Sequence, residues 1–559
     1  MKNLVIVGGA AGGMSCAARA RRLSEDARII VLEKGPYVSF ANCGLPYFVG
    51  GEIENEASLL LQTPESLGAS LNLDVRTGHD VIGLKPEEKT VVVSTPTGII
   101  DLPYDTLVLS PGGEAIAPPI TGLDSARVMT LRTVDDAREI RERVMSKVSS
   151  AVVLGAGFIG LEAAEALNHR GITTHIVELA DHILPPLEVE MRNLVASHLR
   201  DLGIIIHTGV ATTAITESGD SGVVTLSDGR TIDADLIILS AGVRPNTSVF
   251  TDAGIDHERG AIRVDSHGRT NLPDIYAVGD AVLSTHGVTG AETVVALAGP
   301  ANRAGRLVAD HIFTPETARK IPEPIGTAIV RAGALTAAMT GANRGALDRA
   351  GITYTTLHLH PANHAGYFPG SSPIHLLVHI GTNGDILGAQ GVGRDGVDKR
   401  IDVLATSIAA SLKVDDLIDL DLSYSPPYGS AKDPVNMVGM VGSNVLSGAL
   451  KLIEPKELDS LDHSSVVLDV RSVAEYESGH LPGAINIPHT ELRGRLAELD
   501  DKAEGRELIV MCAAGVRSWI GYRIVTAAGH TARMLSGGMT SIRTWYGEQI
   551  DSVLEVNHD

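Results

Sequence analysis

"SAVVLGAGFIGLEAAEAL", residues 150–167, reads as an apolar strand, a glycine turn and a helix. Gly155, Gly157 and Gly160 stand at the spacing that brings backbone close to a pyrophosphate lying on the helix N-terminus. The next strand, "THIVEL" (174–179), ends at Glu178, roughly 20 residues past the turn, where an acid accepts from an adenosine ribose. A carboxylate there favours the free 2′-hydroxyl of NADH and repels the 2′-phosphate of NADPH.

A second copy opens the chain. "KNLVIVGGAAGGMSCAARARRL" (2–23) repeats the strand, turn and helix with Gly8, Gly9, Gly12 and Gly13, and "ARIIVLEK" (27–34) carries Glu33. The spacing is a variant, because Ala10 occupies the place of the second glycine. One such turn alone is a weak signal, since a tight strand-to-helix turn needs no ligand. Two at this separation make coincidence improbable.

A third element assigns the nucleotides. "NLPDIYAVGDAV" (271–282) places Asp280 after a strand and a glycine. It resembles the second FAD motif of the two-dinucleotide-binding flavoproteins, in which that aspartate binds the ribityl chain. "LVLSPGGEA" (107–115) and "LSAGVRPN" (239–246) resemble the crossovers between their FAD and NAD domains, with Ser110 and Pro111 replacing the first two residues of the usual A-T-G. The order of FAD strand, NAD insertion and FAD return resembles that of the pyridine nucleotide-disulfide oxidoreductases, over residues 1 to about 445. The resemblance implies FAD at Gly8, Gly9, Ala11, Gly12, Glu33 and Asp280, and NADH at Gly155, Gly157, Gly160 and Glu178.

"SFANCGLPYF" (39–48) holds Cys43, one of three cysteines, with no partner at C-x-x-C or C-x4-C spacing. In the resembled family a redox cysteine lies beside the flavin in this segment. Single-cysteine members include NADH peroxidase, NADH oxidase and coenzyme A-disulfide reductase. The first two carry a histidine in the first glycine turn where this chain has Ala11, which lowers those readings. Ser39, Phe40, Asn42, Cys43 and Gly44 resemble the S-F-x-N-C-G motif of the coenzyme A-disulfide reductase branch. "HAGYFPG" (364–370) and "LSYSPPYGSAKDPVN" (422–436) supply Tyr367, Tyr424 and Tyr428. In that branch, tyrosines of the partner subunit reach the active-site sulfur, and Tyr367 and Tyr424 match best; the bland alternative is that loop tyrosines cap a core.

One thiol suffices for such chemistry. A thiolate attacks a disulfide or persulfide sulfur to form a mixed disulfide, and flavin electrons replace a second cysteine. Coenzyme A then supplies the other half of the bond, and its phosphates need cations. Arg19 and Arg22, Ser39 and Asn42, and Asn302 and Arg306 in "GPANRAGRL" (299–307) are candidates. The alternative is that these arginines cover helix faces in water. Cys16 on the first helix reads as a packing residue.

The chain changes character near residue 455. "SSVVLDVRSVAEYESGHLPGAINIPHTEL" (464–492) and "RELIVMCAAGVRSWIGYRIVTAAGH" (506–530) resemble the rhodanese domain. Asp469, Arg471, Glu475, Gly479, His480, Pro482, Gly483 and Ala484 fit its first signature. Cys512 to Arg517 forms a C-x-x-G-x-R loop between strand and helix. Backbone N–H groups curling round the sulfur, with Arg517 beside them, stabilise a thiolate and its persulfide. Cysteine phosphatases use a similar loop with one more residue between Cys and Arg, so sulfur transfer is favoured over phosphate chemistry.

Composition agrees. The chain has 559 residues, 44% hydrophobic, with a formal net charge of −22. An acidic surface repels nucleic acid and anionic lipid. No apolar run reaches the ~20 residues that span a bilayer, no signal pattern opens the chain, and three cysteines make no disulfide framework, so a reducing cytoplasm is expected.

The expected architecture is α/β: a glutathione reductase-like pair of Rossmann-like domains (FAD, 1–110 and 245–322; NAD, 111–244), an α+β dimerisation domain (323–447) and an α/β rhodanese domain (455–555). The expected activity is NADH-dependent reduction of CoA disulfide, CoA persulfide or polysulfide by a homodimer with Cys43, Tyr367 and Tyr424 at one site and Cys512 and Arg517 at another, and no metal. Two alternatives remain: an NADH oxidase or peroxidase with an accessory rhodanese, and a redox-sensing sulfur-carrier binding protein.

Overall fold

The computed structural model describes residues 2–146, 148–219 and 221–556. These form two units: Met1–Ile183 with Gly203–Gly326, and Leu184–Leu202 with Thr327–Asp559.

The first unit contains two parallel five-stranded sheets. In one, the order is Ile275–Ala277, Thr106–Leu109, Asn3–Val7, Arg28–Glu33, Asp74–Thr77. Both faces of this sheet are covered, which is why its central strands, Asn3–Val7 and Thr106–Leu109, are almost wholly apolar. Leu4, Ile6, Ile29 and Val31 pack on one side with Ala17, Ala20 and Val308 of two helices. Val5, Val7, Ile30 and Leu32 face the other side, against Val91, Val93 and Phe250. The second sheet has the order Ile205–His207, Thr173–Val177, Ser150–Leu154, Leu236–Leu239, Val128–Met129. In both, the glycine-turn strand lies at the centre, so the turns emerge at the carboxyl ends of central strands, where α/β sheets hold ligands.

The second unit begins with the segment that leaves the second sheet after Ile183. Its helix, Val189–Asp201, packs here rather than with the sheet whose strands it connects. An antiparallel sheet of order Ala328–Ala332, Leu335–Gly341, Ile386–Gly393, Ile374–Gly381, Tyr354–Leu359 packs against helices Val397–Ala409 and Pro434–Leu446. A final parallel sheet follows, of order Leu452–Ile453, Ala532–Leu535, Glu507–Met511, Ser465–Asp469, Ile485–Asn486. It too is covered on both faces, by Leu468, Val510 and Tyr522 on one and by Ile509, Met511 and Ile542 on the other. Among the described residues no helix is long and apolar enough to cross a membrane.

Candidate active sites

The two glycine turns are built alike. Gly8 has φ +99° and Gly155 φ +105°, in the region open to glycine. A Cβ on Gly8 would lie 2.0 Å from the Ser110 carbonyl oxygen, and one on Gly155 2.4 Å from that of Ser240. Each turn is thus pressed against its crossover strand. Gly157 has open space around its would-be Cβ. At the matching place of the first turn, Ala10 adopts an extended conformation as the N-cap of helix Ala11–Leu23.

Glu33 and Glu178 do more than wait for a ribose. The Gly9 and Gly35 amides both donate to Glu33, at 2.8 Å each. The Ala156 and Ala180 amides donate to Glu178, at 2.7 and 2.9 Å. Each carboxylate therefore braces its own turn, and a carboxylate with two such bonds keeps lone pairs for a diol. A cavity of about 240 Å³ beside the first turn is lined by Gly8, Glu33, Lys34, His79 and Pro111. Asp280 lies in the turn after strand Ile275–Ala277, and partial burial raises its pKa, with the nearby Arg132 pulling the other way. A half-buried carboxyl beside glycine-lined backbone suits hydrogen bonds to a polyol. These residues fit an FAD in the first grip and a nicotinamide dinucleotide in the second.

Cys43 sits in a short turn, Asn42–Gly44, and is exposed. Its loop is tied to the first grip: the Ser39 amide donates to the Gly9 carbonyl at 2.9 Å. Ser39 has φ +47°, a left-handed conformation held by flanking pairings of residues 39–41 with 59–61. Local burial of the thiol and the charge of Glu162 raise its pKa. Glu162 itself accepts from Tyr47 at 3.3 Å. Neither residue was anticipated from the sequence, because Glu162 lies on the helix of the other glycine turn. Cys16 is a core residue, with burial raising its thiol to about 12.

The coenzyme A candidates separate into kinds. Helices Ala11–Leu23 and Ala298–Phe313 touch closely, a Cβ on Gly305 meeting the Gly12 carbonyl at 2.1 Å. Arg19 is engaged across this contact with Asp310 at 2.5 Å. Arg22 is exposed, and its guanidinium donates to the Ala18 carbonyl of its own helix. Asn302 and Arg306 are exposed on the neighbouring helix, and Asn42 on the cysteine turn. Asp310 is a partner that the cation pattern alone does not reveal.

Tyr367 and Tyr424 are brought together in the second unit, their hydroxyls 3.5 Å apart. They are 78% and 50% exposed, so neither caps a core; Tyr428 is exposed as well. Their loops are fastened below. Buried Arg400 donates to Asp433 and to the Asn363 carbonyl, each at 2.9 Å, and Ala365 donates to the Gly429 carbonyl. Asp433 also caps helix Pro434–Leu446.

Cys512 follows strand Glu507–Met511 and precedes helix Val516–Ala527. The Gly515 amide donates to its sulfur at 3.1 Å, Gly515 having φ +110°. The buried Ser518 hydroxyl lies 3.4 Å from the sulfur, a contact missed in the sequence reading although Ser518 immediately follows the motif. Arg517 is closed on Glu475 through two bonds of 2.6 and 2.7 Å. The remaining signature residues are braces. Arg471 pairs with buried Asp469 and holds the Gly479 carbonyl, while His480 stacks on Tyr476 at 3.8 Å.

Behind this loop lies a buried polar cluster. Arg344 donates to Glu188, Glu190 and Glu454, at 3.2, 2.8 and 2.9 Å. His358 contacts Glu190 and Ser536, and His360 contacts Ser541. The segment they hold runs against the cysteine loop, where Met539 donates to the Cys512 carbonyl at 2.8 Å.

Comparison with known proteins agrees with this geometry. Residues 2–305 match the pyridine nucleotide-disulphide oxidoreductase family, and residues 454–544 match the rhodanese-like domain. A coenzyme A disulfide reductase of Staphylococcus aureus is 34% identical over 444 residues, 78% of this chain and 99% of its own. The crystal structure of reduced Bacillus anthracis CoADR-RHD superposes with TM-score 0.95 at 40% identity, covering 98% of this chain and 99% of that one. An NAD-dependent persulfide reductase from A. fulgidus gives TM-score 0.89 at 36% identity, covering 96% and 99%. The chain belongs to the pyridine nucleotide-disulphide oxidoreductase family, and carries a rhodanese-like domain in its C-terminal part.

Proposed function

We propose that the protein is an FAD-dependent NADH:CoA-disulfide and CoA-persulfide reductase whose rhodanese-like domain moves sulfane sulfur. The observation that carries this reading is the placement of Cys43, a single exposed cysteine whose loop is hydrogen-bonded to the first glycine turn. The names of the relatives, which span both parts of the chain, support it.

Cys43, as thiolate, attacks the sulfur attached to CoA. The bond beyond that sulfur breaks, sulfide or CoA thiol leaves, and a Cys43–S–S–CoA bond remains. The two electrons that cleave this bond are the chemistry that FAD supplies when bound and reduced by NADH. Arg19, Arg22, Asn302 and Arg306 offer donors for CoA phosphates, and Ser39 and Asn42 border the thiol end. The paired hydroxyls of Tyr367 and Tyr424, contributed across a homodimer, donate to the sulfur anion released at each step. Cys512 accepts or delivers sulfane sulfur within the Gly515 and Ser518 cradle. A cytoplasmic setting suits three unpaired thiols.

The test is anaerobic NADH oxidation with CoA disulfide, CoA persulfide or no sulfur substrate. Sulfur-dependent NADH loss with release of CoA thiol or sulfide is expected. Turnover that requires oxygen alone would move the protein to the oxidase reading.

A further inference from the structure

The turn that opens helix Gly538–Tyr546 is held from two sides. Gly537 and Gly538 have φ +70° and +63°, a conformation that favours glycine. Neither has room for a side chain. A Cβ on Gly538 would lie 2.3 Å from the Cys512 carbonyl oxygen, and one on Gly537 would lie 2.8 Å from His360 Nε2. On the first side, the Met539 amide donates to the Cys512 carbonyl at 2.8 Å. The Thr540 amide and hydroxyl donate to the Ala513 carbonyl, at 2.9 and 3.0 Å. A peptide unit is planar, so pinning these two carbonyls also sets the direction of the Ala513 and Ala514 N–H groups. The next peptide unit carries the Gly515 amide that meets the Cys512 sulfur at 3.1 Å.

On the other side stand histidines of the antiparallel sheet, outside the rhodanese-like span 454–544. His358 reaches the Ser536 hydroxyl ahead of the turn at 3.0 Å, and His360 Nε2 reaches the Ser541 hydroxyl beyond it at 2.8 Å. Ser541 is buried within the first turn of the helix. His360 Nδ1 in turn lies 3.0 Å from His375 Nδ1, on the paired strand Ile374–Gly381. One of these nitrogens donates and the other accepts, so the His360 ring is oriented from behind while its far nitrogen meets Ser541. Burial holds both rings below their ordinary value, His375 at about 4. For His360, His375 and His358 add to burial and Glu190 opposes it. Both rings are therefore neutral in the neutral range, which suits a ring-to-ring hydrogen bond.

We infer that His360 is a positioning residue for the Cys512 loop, acting through Ser541 and the start of helix Gly538–Tyr546. The inference rests on the sulfur-transfer reading of Cys512 given above. His360 touches no reacting atom; what it supplies is a fixed end point. With Ser541 held, the helix start cannot tilt or slide without breaking a buried hydrogen bond and leaving a hydroxyl unpaired. Met539 and Thr540 pass that fixity to the two carbonyls, and the loop passes it to the Gly515 donor at the sulfur. A small displacement of such a donor is costly to a group that must meet sulfur in one geometry. The double glycine is what lets one short turn touch histidine on one side and the cysteine loop on the other.

The full-length flavoenzyme is assayed for thiocyanate formation from cyanide, with thiosulfate and, in parallel, glutathione persulfide as donor. Cys512→Ser supplies the uncatalysed background. Ser541→Ala and His360→Leu should each lower the rate by roughly five- to tenfold, the scale of one buried hydrogen bond. The double variant should be no slower than either single one, because both remove the same bond. His360→Gln, whose amide can bond Ser541 as donor or acceptor, should return the rate to within about twofold of the unmodified protein. Ser541 lies off the loop that carries Tyr367, so NADH oxidation with ready-made CoA persulfide should be unchanged in Ser541→Ala. Thermal unfolding shows whether each variant is folded. Additive losses in the double variant overturn the inference and leave both residues as packing, as does a His360→Gln protein no faster than His360→Leu. An undiminished rate in Ser541→Ala also overturns it, and decides the matter even where His360→Leu does not fold. Absence of transfer in the unmodified protein with both donors overturns the sulfur-transfer reading of Cys512, and the inference with it.

Discussion

Glu162 adds to burial in disfavouring the Cys43 thiolate. Local burial and its negative charge raise the Cys43 pKa. Removing the charge in Glu162→Gln should therefore lower that pKa, and a larger thiolate fraction at neutral pH should speed alkylation. The check is the pH profile of iodoacetamide labelling at the Cys43 peptide; an unshifted midpoint would leave Glu162 with no electrostatic role. Glu178 is proposed to govern the nicotinamide donor. With a carboxylate braced at the ribose position, NADH should reduce the flavin faster than NADPH in stopped-flow bleaching, and equal rates would remove that role. Glu33 and Glu178 were half legible. Glu33 and Glu178 stand out in sequence by their distance from the glycines, but the bracing of each turn by its own acid needs coordinates. Glu162 could not be anticipated, since its meeting with Cys43 depends on how two strand-turn-helix repeats pack.

At the scale of elements, the strand-turn-helix units and the cysteine loop at 512–517 were readable because their chemistry is local. The cluster around Arg344 was not. Glu188 lies 156 residues from it, and the helix Val189–Asp201 that carries Glu190 belongs by sequence to the nucleotide-binding span, yet packs in the second unit. Arg344→Ala strands buried carboxylates and should cost about 3–5 kcal/mol in denaturant unfolding; a loss below about 1 kcal/mol would show that the carboxylates find other partners. The same region holds histidines that burial keeps neutral. Desolvation lowers His360 and His379, and brings His375 to about 4 from an ordinary 6.5. On unfolding below pH 6.5 these rings take up protons that the folded state does not bind, so stability is present above that pH and falls from 6.5 towards about 4. Thermal unfolding across that window should show the decline, and His375→Asn should flatten it. A melting temperature independent of pH over this range would contradict the assignment.

For the whole molecule, the proposed function gives two sulfur sites with different chemistry, of which only one depends on the nicotinamide. Cys512→Ser should abolish transfer of sulfane sulfur to cyanide while leaving reduction of ready-made CoA persulfide largely intact. Loss of both would mean that the sites are obligately coupled, and loss of neither would make the rhodanese-like domain structural. The two-grip architecture and the appended α/β domain were visible in sequence as repeated motifs. The division into two units, with Leu184–Leu202 counted in the second, was not, because it follows from packing rather than from any motif. On the proposed function one cysteine, Cys43, passes electrons derived from NADH to CoA-bound sulfur. The measurement that bears on it most directly is anaerobic NADH turnover with CoA persulfide in Cys43→Ser, alongside flavin bleaching by NADH in the same protein. Bleaching should survive, since it needs no thiol, while persulfide turnover should be lost. Substantial turnover in Cys43→Ser would contradict it.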